Sequence, residues 1–219
     1  ERNFHMFWTA LLPLISSSPD AMKQLEDIRR GFASVMQAKM EKMWAAKLGL
    51  DAFDSELFSE LESLMLQTQV DYTIFFRELS AIPDDMGALE KSFYNNGRQA
   101  ANSADINQRW SQWLEQWNTL NHMSDTDVDT DTEAAAFLTR EELSKQMKLV
   151  NPKYTLREWF VVPAYQQASI GDYSLVRALQ EVMIRPYEEQ SKAVEDKFYK
   201  LKPAELFATG GVSYYSCSS

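Results

Sequence analysis

Apolar side chains recur every third and fourth residue along most of this chain, and little interrupts them. Only seven glycines and seven prolines occur in 219 residues. A stripe at that spacing buries one face of an α-helix and cannot alternate sides as a strand must. The clearest case is Met22, Leu25, Ile28, Phe32, Val35, Met36, Met43, Trp44 and Leu48. Ser18 precedes it as an N-cap, Pro19 suits the first helical position, and Gly49 closes it. The pattern predicts an all-α chain, a helical bundle.

Further helices follow by the same reasoning. One starts near Ser55 with Leu57, Leu61, Leu64 and Met65; a second opens at Asp71, carries Phe75, Phe76 and Leu79, and stops before Pro83. These elements predict a compact bundle over the first 83 residues. Asn95-Asn96-Gly97 marks a turn, after which Asp105 is placed to cap a helix bearing Ile106, Trp110, Trp113, Leu114, Trp117 and Leu120. Thr139 and Glu142 form a capping box for a helix through Leu143, Met147 and Val150, ended by Pro152. Leu156, Trp159, Phe160 and Val162 supply the face of the next, which Pro163 should kink or end. Gly171-Asp172 turns into a helix with Leu175, Val176, Leu179, Val182 and Met183, closed by Pro186. A short helix is expected over residues 191–201, and Gly210-Gly211 loosens the tail. From Asp125 to Glu133 acidic residues alternate with threonine and valine, which reads as a linker. The expected organisation is therefore a helical region over 1–124, an acidic linker over 125–133 and a C-terminal helical region over 134–219 that carries the tail.

Charge removes several function classes. The net charge is −10 and the pI is near 4.8. Nucleic acids and anionic membranes demand massed Lys and Arg, so neither is an expected partner. The longest apolar run, Met6 to Ile15, is interrupted by Pro13 and falls short of the roughly 18–20 residues that cross a bilayer. No signal or transit peptide is visible, and one cysteine makes no internal bridge, so an intracellular setting is expected.

Chemistry-bearing motifs are sparse. Asp125 and Asp127 begin spacings like a calcium loop, but the glycine and glutamate that such a loop needs are replaced by Thr130 and Ala136, or by Thr132 and Leu138. The two histidines, His5 and His122, are too far apart in sequence to suggest a zinc site. No glycine-rich phosphate loop, Walker sequence or kinase catalytic motif is recognisable. The tryptophans from Trp110 to Trp117 read as core rather than as a ligand cage. Asn151-Pro152-Lys153-Tyr154 with Arg157 admits two readings. Lys and Arg could grip a phosphate, or the segment could be a turn in which Tyr154 fills an interhelical gap and Arg157 pairs with a carboxylate; the second is favoured.

The order of several signatures carries a resemblance. Asn151-Pro152-Lys153-Tyr154 with Leu156, Arg157 and Trp159, then Gly171-Asp172-Tyr173-Ser174, Arg185-Pro186-Tyr187-Glu188-Glu189-Gln190 and Ser216-Cys217-Ser218-Ser219, together with Ala10–Ile15 and Val70–Leu79, resemble the C-terminal region of the selenoprotein O family. Pro163 departs from that family's pattern. The resemblance implies a protein adenylyltransferase with a kinase-like (pseudokinase) fold, of which this chain would be the C-terminal helical region. It implies that ATP is held with Mg²⁺ or Mn²⁺, that AMP passes to Ser, Thr or Tyr of protein substrates, and that the catalytic residues belong to a kinase-like core outside this chain. That core and the protein substrates are then the expected partners, and the isolated 219 residues should be inactive. The expected location is cytoplasmic in a bacterium or mitochondrial in a eukaryote.

The resemblance also implies a role for Cys217, in the position that family members fill with selenocysteine or cysteine: a redox bridge to a cysteine of the core that tunes activity. Read from the residues alone, Cys217 is a surface thiol among small polar neighbours. A competing reading of the whole chain is a non-catalytic helical protein-interaction module.

Overall fold

A computed structural model describes residues 2–95, 103–121 and 139–208. Nine α-helices are found among them: α1 (Arg2–Ile15), α2 (Pro19–Leu48), α3 (Ser55–Thr68), α4 (Tyr72–Leu79), α5 (Ala104–Leu120), α6 (Arg140–Val150), α7 (Glu158–Ser169), α8 (Ser174–Ile184) and α9 (Lys192–Phe198). Two 3₁₀ turns, Met86–Ser92 and Ala204–Leu206, and an isolated antiparallel bridge between Val70 and Phe93 complete the described elements. The fold is all-α.

Capping chemistry sets most of the boundaries. Asp54 accepts from the Leu57 N–H at 2.8 Å and Asp71 from the Ile74 N–H at 3.0 Å, each satisfying an amide that the first helical turn leaves open. Thr139 and Glu142 make the expected reciprocal box. At α5 the cap is Ser103 rather than Asp105, which lies inside the first turn, where its charge still favours the helix N-terminus. Pro163 does not end its helix: α7 runs on to Ser169. The ring removes the N–H that would bond to the Trp159 carbonyl. Burial of Phe160 and Ala164 on either side of it holds the helix against that loss.

The chain divides into two compact units, a smaller one of Glu1–Ala45 and Asp51–Phe53 and a larger one of Ala46–Leu50 with the described residues from Asp54 onward. The compact bundle expected over the first 83 residues is thus absent as a unit, because α1 and most of α2 separate from α3 and α4. The acidic segment 125–133 lies outside the described residues, and the helices on either side of it, α5 and α6, belong to the larger unit.

In the smaller unit Phe4 stacks on Phe32 with centroids 3.8 Å apart, and the Arg29 guanidinium lies 5.6 Å from the Trp8 ring. In the larger unit α3 packs on α5. Leu57, Leu61 and Leu64 are buried there, as are Trp110, Trp113, Leu114 and Trp117. The tryptophans are core, as their spacing predicts. Trp113 Nε1 donates to the Leu57 carbonyl at 2.9 Å and Trp117 Nε1 to the Leu48 carbonyl at 2.8 Å, so both buried indoles are satisfied and tie α5 to two other helices. Gly49 takes φ +71°, and a Cβ there would come within 2.8 Å of Leu143 Cδ1 and Met147 Sδ. Glycine is needed at this point both for the left-handed turn that ends α2 and for the close approach of α6. A second apolar cluster joins Tyr154, Phe160, Ala164, Leu179, Val182 and Phe198, so that α7, α8 and α9 share one core.

Candidate functional site: a buried ionic staple

Three of the sequence signatures meet at one place. α6 ends where the Asn151 N–H donates to the Met147 carbonyl at 2.8 Å, and this turn pushes the Asn151 side chain into the interior, where it is 0% exposed. Its Oδ1 accepts from Lys47 Nζ at 2.8 Å; its Nδ2 donates to the Lys47 carbonyl at 2.8 Å and to Ser80 Oγ at 3.0 Å. One amide therefore joins the last turn of α2, the end of α4 and the end of α6. Both of its N–H donors and one acceptor direction of its oxygen are used.

Arg77, buried on α4, donates through NH1 to the carbonyls of Lys148 (3.2 Å) and Asn151 (3.1 Å), and through NH2 to Glu189 Oε1 (2.6 Å). Lys153 Nζ binds the other Glu189 oxygen and Glu195 Oε2 at 3.2 Å. The backbone of the same segment is pinned as well, since the Lys153 and Tyr154 N–H groups both donate to the Pro186 carbonyl, at 2.9 and 3.1 Å. Gln190 Nε2 closes the α8 terminus by donating to the carbonyls of Val182 and Arg185, each at 3.0 Å.

Arg157, just before α7, makes a two-pronged pair with Asp71, its NH2 lying 2.9 Å from Oδ1 and its NH1 bonded to Oδ2. Asp71 also caps α4 and accepts from the Tyr94 hydroxyl at 3.2 Å. Both partners of this pair are largely buried, the setting in which the fork geometry of Arg matters most. The Tyr199 hydroxyl donates to Glu78 Oε1, and Lys91 pairs with Glu78 at 2.6 Å. Tyr154 is buried against Tyr199, with ring centroids 6.3 Å apart.

The electrostatics follow from these partners. Burial would depress the Lys153 ammonium, but Glu189 and Glu195 outweigh it and hold the pKa above its ordinary value. Burial would raise the Glu189 carboxyl, but Lys153 and Arg77 hold it below. Lys47 differs: burial lowers its pKa, and it has the Tyr72 and Phe76 rings 5.2 and 4.9 Å away in addition to the Asn151 oxygen. Tyr199 is pushed far up, first by burial and then by Glu78.

Chemically, this arrangement is a staple. Arg77, Lys153 and Arg157 spend their donors on carboxylates and carbonyls of the same chain, so the basic residues of the Asn-Pro-Lys-Tyr segment do not form an open phosphate clamp. A cleft of about 610 Å³ lies beside Glu189 and is lined by Glu181, Arg185, Glu189 and Lys197, whose charges balance, with Val182 and Phe198 among its apolar wall. Among the described residues no group of three or more His, Cys, Asp or Glu is placed to hold a metal ion. None of the described helices is long and apolar enough to cross a membrane. Cys217 and the Ser216–Ser219 signature lie outside the described residues. Sequence reasoning assigned Arg157 a carboxylate and Tyr154 an interhelical gap, but it did not find Asp71 as the partner of Arg157, nor Lys47, Arg77 and Glu189 as the partners of Asn151 and Lys153. One signal was present: Lys47 and Arg77 interrupt otherwise apolar helical faces, which marks a buried cation in need of acceptors.

A family model described as "Protein adenylyltransferase SelO" matches residues 1–184, a stretch that contains α1 to α8 and the Asn151 to Arg157 part of the staple. The chain belongs to the SelO family. Relatives match this chain at about a third of the aligned positions. A "Protein nucleotidyltransferase YdiU" of Flavobacterium johnsoniae is 30% identical over 223 residues, covering 99% of this chain and 39% of the relative. Proteins of the same name from Aromatoleum aromaticum and Methylococcus capsulatus are 29% and 33% identical, over 98% and 96% of this chain and 39% and 38% of those relatives. The chain thus spans about two fifths of the length of the SelO relatives it matches.

Proposed function

We propose that this chain is the C-terminal helical part of a protein adenylyltransferase with a pseudokinase fold, and that it supports rather than performs the transfer. In that reading AMP passes from ATP to a Ser, Thr or Tyr hydroxyl of a protein substrate, with pyrophosphate leaving. ATP and Mg²⁺ or Mn²⁺ are held by a kinase-like core outside these 219 residues. The observation that carries the reading is the family match over residues 1–184. The saturated staple supports it, because cations already committed to Glu189, Glu195 and Asp71 have little left to offer a triphosphate.

Two experiments test this. With ATP labelled at the α-phosphate and either Mg²⁺ or Mn²⁺, the 219-residue chain alone should transfer no label to itself or to added protein, while a family-length polypeptide containing it should. Label transferred by the isolated chain overturns the supporting role, and no transfer by the longer polypeptide favours a non-catalytic interaction module instead. The redox role of Cys217 is part of the same proposal. As Cys217 is the one cysteine here, a bridge partner would lie outside these 219 residues, and the family resemblance puts it in the core. In the longer polypeptide, Cys217→Ser should remove one disulfide from the non-reducing peptide map, and an unchanged map would refute the bridge.

A further inference from the structure

The packing that holds α1 to α2 leaves apolar side chains outside. Phe4 and Trp8 are engaged with Phe32 and Arg29 and are half-buried, yet no residue of α1 is fully buried. Phe7 and Leu14, two turns apart on another side of α1, are 61% and 77% exposed. On α2, Ile28, Val35, Met36, Met40 and Met43 are exposed. At 100° per residue these five fall within an arc of about 140°, and they extend along roughly 22 Å of helix. Lys39 lies in the same arc, and its methylene stem adds to the apolar surface. Phe32 and Arg29, which α1 engages, lie in the same arc, so α1 covers only the N-terminal part of an apolar stripe that runs on uncovered to Met43.

Two observations say by what. The family match begins at residue 1, so α1 and α2 are elements of the family fold and not an appendage to it. More than half of each relative lies outside the stretch that this chain matches. We infer that the Ile28–Met43 face of α2, with the Phe7 and Leu14 edge of α1, seats the polypeptide that the longer family members carry beyond the matched stretch. This rests on the reading of the chain as part of a longer transferase, and it gives that part a docking surface. Methionine suits such a face because its flexible thioether adapts to an irregular partner.

The test is co-expression of the 219-residue chain with a tagged polypeptide comprising the part of the Flavobacterium johnsoniae relative that the chain does not match. That relative's own matched part serves as the positive control. The expected result is a one-to-one complex by affinity capture and light scattering, weakened at least tenfold by Val35→Asp with Met36→Asp and unaffected by Lys23→Glu. All three substituted positions are exposed, so far-ultraviolet circular dichroism of the isolated variants should match the parent. A control complex with none for this chain would overturn the inference, as would a complex insensitive to the Asp pair. So would a homodimer of the chain alone that the Asp pair dissociates, since a second copy would then cover the face. Capture needs no nucleotide, so a complex that forms but transfers no AMP when ATP and Mg²⁺ are then added sinks the enzymatic reading and leaves the docking surface standing.

Discussion

Asn151 ties distant parts of the fold together, because an amide with no solvent contact bridges three helices. Asn151→Ala removes three side-chain hydrogen bonds and leaves the Lys47 ammonium buried without its oxygen. Leaving buried donors unpaired costs more than the bonds themselves are worth. The expected loss is about 3 kcal/mol, read as a lower urea midpoint at unchanged slope. Glu189 contributes to the acid limb of stability. Its pKa is depressed in the folded state, so its contribution is fully present above the ordinary value of 4.5 and is lost as pH falls through and below it. Lys153, raised above 10.5, keeps its contribution until the pH climbs past that value. The Glu189–Lys153 pair therefore keeps both charges across the neutral range. Glu189→Gln should cost about 1–2 kcal/mol at pH 7, moderated because Glu189 is 63% exposed and solvent screens it, and should flatten the fall in melting temperature below pH 4.5. An unchanged acid limb in that variant would show that other carboxylates set it.

At the scale of elements, capping and periodicity explain where most helices start and stop, and Pro163 is the exception that tests packing against propensity. The α7 helix continues through it although one backbone bond is missing. Pro163→Ala restores that N–H and a good helix former, so stability should rise by about 1–3 kcal/mol in thermal unfolding. A loss instead would mean that the ring itself packs in a way that alanine cannot replace. Thr139 makes the opposite case: Thr139→Ala removes the hydroxyl that accepts from the Glu142 N–H, leaves the backbone half of the box, and should cost about 1 kcal/mol. Asp105 and Ser103 mark how far local reading reaches. Both residues are competent caps two positions apart, and the choice between them depends on the register at which Trp110, Trp113 and Trp117 enter the core.

For the whole molecule, burial divides stability unevenly. α1 has no buried residue, whereas α3 and α5 carry Leu57, Leu61, Leu64 and three buried tryptophans. Amide hydrogen exchange of the 219-residue chain should accordingly be fastest in Arg2–Ile15 and slowest in α3 and α5. Uniform protection along the chain would contradict the division into two units. Helix content, caps, the tryptophan core and the glycine stop at Gly49 were legible in the residues, because each depends on interactions within a turn or two of chain. The staple was not: Lys47 and Asn151 stand 104 residues apart, Arg77 and Glu189 112, and which cation meets which carboxylate depends on how the helices pack. Periodicity marks the side of a helix that is apolar, so it ran α2 and α4 together into one early bundle. Only the tertiary structure decided that most of α2 stands in another unit with an apolar face uncovered, since a hydrophobic stripe records that a surface is to be buried and says nothing of what buries it.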